Sequence, residues 1–294
     1  MAKMDTHMLI YEAIQHGRKC LAAANVASPL LDAQVLLGHC LGLDRMALLL
    51  KRDQHVPDEP WRLYCQLIDR RANFEPVAYL VGNREFCGLD FQLSPATLIP
   101  RPDSETLVEA VLAAIADHEA PLRVLDLGTG SGCLLLSLLA VLPKATGVGL
   151  DISEDALSMA KTNAKRLGLA NRASFKQSEW TAALDPKAAP FDVVLSNPPY
   201  ISHDDLVQLM PDVRCYEPMR ALDGGPDGLD AYRAIIEQIP PFLSPDGLLA
   251  FELGAGQAPM VGALLQAAFG QPPSIHKDLA GHDRVVLFRK ALRS

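Results

Sequence analysis

Beyond residue 103 the chain alternates short apolar runs with amphipathic stretches. Apolar runs without turn-forming residues predict buried strands, whereas apolar residues at every third or fourth position predict helices. Strands are predicted at 122–127, 146–150, 173–176, 191–196, 247–253, 274–277 and 284–288. Helices are predicted at 104–117, 133–142, 153–167, 229–242 and 257–269. This alternation predicts an α/β fold with a mostly parallel, seven-stranded sheet that helices cover on both faces.

The first part of the chain has the helical pattern alone. From about Thr6 to Ala72, apolar residues recur at the spacing of one helix face. Ser28-Pro29 predicts a helix start with Ser28 as N-cap, and Asp58-Glu59-Pro60 predicts another. These residues include no glycine loop and no paired acids, so we expect a small helical bundle.

Between these two regions, aromatic and apolar residues stand among glycines and prolines. The residues at 86–91 predict a β-hairpin with its turn near Gly88. We therefore expect three segments: a helical domain at 1–75, a β-hairpin linker at 76–102, and a catalytic domain at 103–294.

Composition excludes several classes of function. The 294 residues are 49% hydrophobic and 21% charged, which is ordinary for a globular protein. The net charge of -8 leaves no broad basic face for nucleic acid. Six scattered cysteines indicate a reducing compartment. We find no signal-peptide pattern, and the most apolar window is too short to cross a bilayer. We expect a cytoplasmic protein with neither a membrane partner nor a metal.

The stretch Asn197-Pro198-Pro199-Tyr200 directly follows the strand predicted at 191–196. The prolines end the strand, because proline has no N–H for a sheet. An Asn at the carboxyl end of a central strand faces the crevice where open α/β sheets bind ligands. Its amide can both accept and donate hydrogen bonds, which suits a planar substrate that carries an NH₂ group. Asn-Pro by itself is equally a turn signal.

A glycine loop precedes this stretch. Gly128, Gly130 and Gly132 lie between a predicted strand and a predicted helix, where a ligand can approach bare main chain. A dinucleotide fingerprint requires Gly or Ala where Cys133 stands, so a pyrophosphate is not indicated. Asp151 ends the next strand, where a carboxylate can bind both hydroxyls of a ribose. A ribose-bearing ligand without a pyrophosphate points to S-adenosyl-L-methionine (SAM).

With these motifs, the sequence resembles the glutamine N5-methyltransferases that modify peptide-chain release factors. The resemblance spans nearly the whole chain and lies in the segments 75–79, 88–91, 98–102, 126–132, 151–153, 197–201, 216–218, 221–225, 227–230 and 281–285. Asn-Pro-Pro-Tyr is shared with nucleic-acid amino-methyltransferases, whereas Arg101-Pro-Asp and the block at 216–230 resemble the release-factor branch. Asp103 and Ser104 depart from the Glu-Thr expected there.

The resemblance implies a Rossmann-like class I SAM-dependent methyltransferase domain with SAM as cofactor. It implies that Trp180 contacts the adenine side of SAM and that Asp151 holds the ribose hydroxyls. The remaining implied SAM contacts are Gly128, Thr129, Gly130, Ser131, Gly132 and Asn197. The implied catalytic residues, which hold the substrate glutamine, are Asn197, Pro198, Pro199 and Tyr200. It also implies that the segment at 1–75 docks class I peptide-chain release factors; we expect a monomer that contacts no nucleic acid directly.

Two other enzymatic functions use the same motif: methylation of adenine N6 in nucleic acid and methylation of a glutamine in a ribosomal protein. A non-catalytic SAM-binding adaptor is a third alternative. Without the resemblance, Trp180 is equally a core aromatic residue.

Four further residues have two readings each. Arg101 and Glu105 either face the cofactor or lie at a solvated helix start. His203 is either a general base or part of a helix start. The Asp204 and Asp205 that follow it favour the helix start, because Asp residues cap helices. Glu252 either faces the site or caps the next turn. The segment at 223–228 is acidic but has the glycines and proline of a loop, so we expect a loop and no cation site.

Overall fold

The computed structural model describes residues 8–290, which form two compact units. The first unit extends through Gly82 and includes Met210–Tyr216; the second consists of Asn83–Leu209 and the chain from Glu217 onward. The boundaries predicted at residues 75 and 102 divide the chain differently. The predicted linker is divided between the two units: its residues up to Gly82 belong to the helical unit, and its hairpin, from Asn83 onward, belongs to the sheet unit.

Within residues 8–290 the helices α1 to α12 are, in chain order, Ile10–Ala23, Pro29–Leu41, Arg45–Leu50, Asp58–Ala72, Val77–Val81, Glu105–Ala114, Cys133–Val141, Glu154–Arg166, His203–Leu206, Pro211–Tyr216, Asp230–Gln238 and Ala258–Phe269. The strands β1 to β9 are Asn83–Phe86, Leu89–Gln92, Arg123–Leu127, Thr146–Asp151, Ala173–Gln177, Phe191–Ser196, Leu243–Glu252, Ser274–Lys277 and Asp283–Arg289. Short 3₁₀ helices lie at Pro102–Ser104 and Met219–Ala221. No helix in this part of the chain has the length and apolar character needed to cross a membrane.

The helical unit is organised around the apolar faces of α1, α2 and α4. Tyr64 on α4 is fully buried, and its hydroxyl donates to the main-chain oxygen of Ala13 on α1 at 3.2 Å. A buried ion pair joins Arg71 to Asp32 at 2.7 Å. The predicted helices over this region are confirmed, since apolar residues at helical spacing form this core.

Two details of the helical unit differ from the prediction. Ser28 precedes α2 as expected, but its side chain makes no capping hydrogen bond. Its φ of -123° and ψ of 54° depart from the extended conformation that aims a cap oxygen at the first helical amides. The short helix α5 was not predicted within the linker; it forms because Leu80 completes the helical core, and Gly82 ends it in a left-handed conformation.

The sheet unit contains a seven-stranded sheet in the order β5-β4-β3-β6-β7-β9-β8. The five neighbouring strands β5, β4, β3, β6 and β7 run parallel to one another, and β9 runs antiparallel to both of its neighbours. The predicted seven-stranded, mostly parallel sheet is confirmed. Strand β7 begins at Leu243 instead of residue 247, because Leu243 pairs with Phe191 across an irregularity in the register.

Apolar cores cover both faces of the sheet. On one side Leu107, Val111 and Leu135 are fully buried, together with the aromatic residues of the confirmed β1–β2 hairpin. On the other side Tyr232 and Phe251 pack edge to face, with ring centroids 5.6 Å apart. Strands β3 and β6 are adjacent in the sheet although β4 and β5 lie between them in the chain. Their carboxyl ends therefore mark the switch point at which α/β sheets bind ligands.

Candidate active site

A cavity of about 290 Å³ opens at the carboxyl ends of β3, β4 and β6. Its wall is built from the segment that precedes α6, the glycine loop after β3, the end of β4, the turn after β5, the stretch after β6 and the 3₁₀ helix at Met219–Ala221. The predicted site residues in this wall are Gly128, Thr129, Gly130, Ser131, Asp151, Trp180, Asn197 and Pro199. Residues that are far apart in the chain thus meet at one edge of the sheet.

The glycine loop offers bare main chain to this cavity. Gly130 has a φ of 55°, and, apart from Gly130 itself and its two chain neighbours, no described residue has an atom within 4 Å of the position that a Cβ would take there. A side chain at this position would fill space in the cavity, so the loop suits close approach by a ligand. Gly132 differs, since a Cβ would lie 3.1 Å from Leu136 and 3.2 Å from Ala160. Its small size serves helix packing behind the loop.

A buried acid fastens the glycine loop from behind. Thr129 donates from its hydroxyl to Asp126 Oδ2 at 2.6 Å, and Asp126 is completely buried at the end of β3. The pKa of Asp126 is raised to about 7, chiefly by burial. The hydrogen bond from Thr129 lowers this pKa, whereas the nearby negative charge of Asp151 raises it. Asp126 Oδ1 has no partner of standard hydrogen-bond geometry among the described residues. The carboxyl group of Asp126 is therefore mostly protonated, and so neutral, below about pH 7.

Asp151 is held at the cavity by two main-chain amides. Its Oδ2 accepts from Gly130 N and its Oδ1 from Ser153 N, both at 2.9 Å. Each carboxylate oxygen keeps further lone pairs, so the group can accept hydrogen bonds from two adjacent hydroxyls. Ser153 caps α8 as predicted, accepting from Ala156 N at 3.3 Å.

Trp180 is both a cavity residue and a core aromatic residue. It lines the cavity and also packs against the buried core of the sheet unit. Its φ of 46° is unusual for a tryptophan and turns the chain at this wall.

Asn197 and Pro199 lie in the cavity wall, whereas Pro198 is buried. Asn197 Nδ2 donates to the Ser104 hydroxyl at 3.4 Å, which places the carboxamide oxygen on the opposite side of the group. Tyr200 donates from its hydroxyl to Glu252 Oε1 at 3.2 Å. Burial and the negative charge of Glu252 raise the pKa of Tyr200 well above its usual range, so its phenol remains protonated.

The loop at 223–228 holds the main chain around Tyr200. A Cβ on Gly224 would lie 2.7 Å from Tyr200 Cα, and one on Gly228 would lie 2.4 Å from Tyr200 O. Gln257 Nε2 donates to the same Tyr200 oxygen at 2.9 Å. The glycines therefore allow a second stretch of main chain to brace the end of the predicted catalytic segment.

Two family models match the chain: a PrmC N-terminal domain over residues 12–82 and a methyltransferase domain over residues 118–268. A release factor glutamine methyltransferase of Rhodospirillum rubrum is 45% identical over 97% of this chain and 86% of its own length. One from Bradyrhizobium diazoefficiens is 44% identical over 95% of both chains. This chain belongs to the release factor glutamine methyltransferase family.

Membership in this family makes the chain a SAM-dependent methyltransferase. Among solved structures, the hMettl16 catalytic domain in complex with MAT2A 3'UTR hairpin 6 superimposes with a TM-score of 0.58. The match has 17% sequence identity and covers 76% of this chain and 84% of that chain. At this identity the likeness shows the fold alone, and it agrees with the predicted Rossmann-like class I domain.

The structure shows where Arg101, Glu105 and His203 lie, three residues for which the sequence left two roles open. Arg101 lines the cavity, whereas Glu105 accepts from Cys87 N at 3.0 Å and so stabilises the hairpin turn. His203 begins α9 and lies 3.1 Å from Asp223, outside the cavity wall. The helix start is as predicted, but Ser202 caps it by accepting from Asp205 N.

Glu252 is buried at the end of β7, 1% exposed. Burial raises its pKa, while hydrogen bonding from Ser104, the charge of Arg284 and the Tyr200 hydroxyl oppose that rise. Glu252 therefore faces the predicted catalytic segment from within the protein and does not cap the next turn.

Glu217 was not predicted to be a site residue. This buried residue accepts from Ile99 N at 3.1 Å and from Arg101 Nη2 at 2.5 Å, and so fixes Arg101 in the cavity wall. Arg220, which also lines the cavity, was likewise not singled out. The only signal in the sequence was that the resemblance extends through the block at 216–230; a pairing between residues more than 100 positions apart has no local pattern.

Proposed function

We propose that this chain transfers the methyl group of SAM to the side-chain amide nitrogen, N5, of the glutamine in the Gly-Gly-Gln motif of class I peptide-chain release factors. The observation that carries the proposal is that Asn197 and Pro199 line the same cavity as the glycine loop and Asp151. A group that can hold an amide and groups that can hold a ribose thus share one cavity, in a chain of this family.

The cavity wall fits SAM. The open space at Gly130 accommodates a ligand against main chain, and Asp151 offers two preorganised carboxylate oxygens for the ribose hydroxyls. Thr129 and Ser131 complete the loop, Gly132 packs it against the helices, and Trp180 supplies an aromatic wall for the adenine. Bound SAM supplies an activated methyl group on a positively charged sulfur.

The residues after β6 would orient the substrate. An amide nitrogen is a poor nucleophile because its lone pair is delocalised into the carbonyl. We assign Asn197 Oδ1 and the main-chain oxygen of Pro198 as acceptors for the two N–H groups of the glutamine amide. Holding the nitrogen in line for attack can supply roughly 7–11 kcal/mol in favourable cases. The same partial negative charges favour the positive charge that develops on the nitrogen.

Pro199 and Tyr200 would shape the slot for the amide plane. Tyr200 is held by Glu252 and Gln257 on two sides, so its position is well defined. No strong general base is required before transfer, since the amide becomes acidic once it carries the methyl group and then loses its proton readily.

We assign release-factor docking to the helical region, proposed as a domain at 1–75, with 76–102 as linker and 103–294 as the catalytic domain. Helix α3 exposes Met46, Leu49 and Leu50, with exposed fractions of 64%, 62% and 78%. Exposed apolar side chains of this kind are typical of protein-binding surfaces. The enzyme is proposed to act in the cytoplasm as a monomer.

The test is to incubate the protein with SAM and a purified release factor and to analyse the Gly-Gly-Gln peptide by mass spectrometry. We expect one added methyl group on the glutamine. A release factor with Asn in place of that glutamine is the substrate control. Parallel reactions contain nucleic acid or ribosomal protein; methyl transfer to either of these, with an unmodified release factor, would refute the proposal.

Asn197→Ala tests the assigned role of the amide. Loss of one preorganised hydrogen-bonding group typically costs about 10²–10³ in kcat, whereas the affinity for SAM should change little. Asn83→Ala is the matched control, because Asn83 is an exposed hairpin residue outside the cavity wall. An Asn197→Ala protein that methylates at the wild-type rate would refute the mechanism.

A further inference from the structure

A buried acid lies directly behind the segment assigned to the substrate amide. Glu252 accepts the Tyr200 hydroxyl on Oε1, while its Oε2 has no partner of standard hydrogen-bond geometry among the described residues. The Ser104 hydroxyl is near enough to this carboxylate to favour its ionised form. The Ser104 hydroxyl can therefore act as a donor to the buried carboxylate of Glu252.

Ser104 also contacts Asn197. It is 3% exposed, and its oxygen accepts from Asn197 Nδ2 at 3.4 Å. A serine hydroxyl has one proton to donate, and an ionised carboxylate can only accept. If the Ser104 proton is donated to Glu252, only the lone pairs of the Ser104 oxygen remain for Asn197. The amide of Asn197 must then turn its NH₂ group toward Ser104.

We propose that Glu252 is a positioning residue that acts through Ser104 to hold the Asn197 carboxamide with its oxygen available to the substrate. This inference rests on the proposed function. The two ends of a carboxamide have nearly the same shape, so packing alone does not select between them. The reversed orientation would set the NH₂ group of Asn197 against the NH₂ group of the substrate glutamine, donor against donor. The direction of the hydrogen bonds therefore decides whether the slot can accept an amide.

The surroundings of Glu252 support its role as an acceptor. Arg284 contributes a positive charge that favours the carboxylate, and Tyr200 donates to it. Arg284 is itself held by Asp278 at 3.0 Å and Asp103 at 3.1 Å. The cation is thus fixed near the buried acid.

Glu252→Gln changes the direction of hydrogen bonding and almost nothing in shape. The new carboxamide can keep its oxygen on the Tyr200 hydroxyl, which places its NH₂ group toward Ser104. The Ser104 proton then turns to Asn197 and favours the reversed amide. We expect kcat for methylation of the release factor to fall about 10²-fold, with the Kd for SAM, measured by calorimetry, within about threefold of wild type.

Ser104→Ala and the double variant test whether the effect passes through Ser104. Ser104→Ala should lower kcat to a similar extent, and Ser104→Thr, which keeps the hydroxyl, should restore most of the activity. Adding Glu252→Gln to Ser104→Ala should lower kcat by no more than about threefold further, because residues that act as one unit are not additive. Ser137→Ala, at another buried serine outside the cavity wall, is the control that should retain wild-type kcat.

Wild-type kcat in Glu252→Gln would overturn the inference, and so would effects that multiply in the double variant. Loss of SAM binding in a folded Glu252→Gln protein would also overturn it, since the role would then be to support the cofactor site. If Glu252→Gln does not fold, the Ser104→Ala and Ser104→Thr pair decides: equal kcat in these two overturns the inference. Wild-type protein that leaves the release factor unmodified would instead refute the proposed function, and the inference with it.

Discussion

Asp126→Asn probes the buried acid behind the glycine loop. Asp126 is completely buried, and its pKa is raised from 3.8 to about 7, chiefly by burial. An acid whose folded pKa is raised contributes stability that is fully present below its unfolded pKa and is lost as the pH rises through its folded pKa. The wild-type protein should therefore lose stability from this group between about pH 4 and pH 7.

The size of this loss follows from the two pKa values. They differ by roughly three pKa units, and each unit corresponds to about 1.4 kcal/mol, so the loss approaches about 4 kcal/mol near pH 8. Asparagine has a similar shape and no ionisable proton, and its amide can still bond to Thr129. The variant should thus be more stable than wild type by about 4 kcal/mol near pH 8, and by less than about 1 kcal/mol near pH 4. At about 2–4 °C per kcal/mol, the gain in Tm near pH 8 is about 8–16 °C.

Urea unfolding of both proteins without added SAM, at several pH values from about 4 to 8, measures this difference directly. Other titrating groups cancel when the free energy of unfolding of wild type is subtracted from that of the variant. Asp204→Asn is the control, because Asp204 is exposed and has no burial cost to relieve. A difference between Asp126→Asn and wild type that does not widen with rising pH would refute the reasoning.

Two further substitutions test packing in each unit. Gly228→Ala should lower the free energy of unfolding by about 1–3 kcal/mol and reduce kcat, because the new Cβ would lie 2.4 Å from the Tyr200 main-chain oxygen in a residue with a φ of 76°; unchanged urea unfolding and unchanged methylation would contradict this. Arg71→Ala should cost about 3–5 kcal/mol in urea unfolding, since it leaves the carboxylate of Asp32 buried without its partner. Arg70→Ala, which breaks a more exposed ion pair, should cost at most about 1 kcal/mol, and equal losses in the two arginine variants would argue against the burial explanation.

Much of the fold could be predicted from the sequence because its causes are local. Apolar runs such as 191–196 form strands wherever both faces are covered, and helices begin where residues such as Ser153 can cap them. The glycine loop and Asp151 lie at the carboxyl ends of neighbouring strands, so one cavity edge follows from the order of the elements. Short elements such as α5 were missed, since five residues have too little periodicity to show a helix.

Sequence alone therefore determined the longer strands and helices, the glycine loop and the polar residues at the strand ends, because each depends on neighbours along the chain. Only the tertiary structure decided which distant groups meet. It brought Glu217 to Arg101 and Ser104 to Asn197, pairs separated by 116 and 93 positions. It also enclosed Glu252 away from water, which a sequence pattern cannot show for a single acid at a strand end. Burial and direction of hydrogen bonding are properties of the packed core, and they set the charge and orientation of the groups around the cavity.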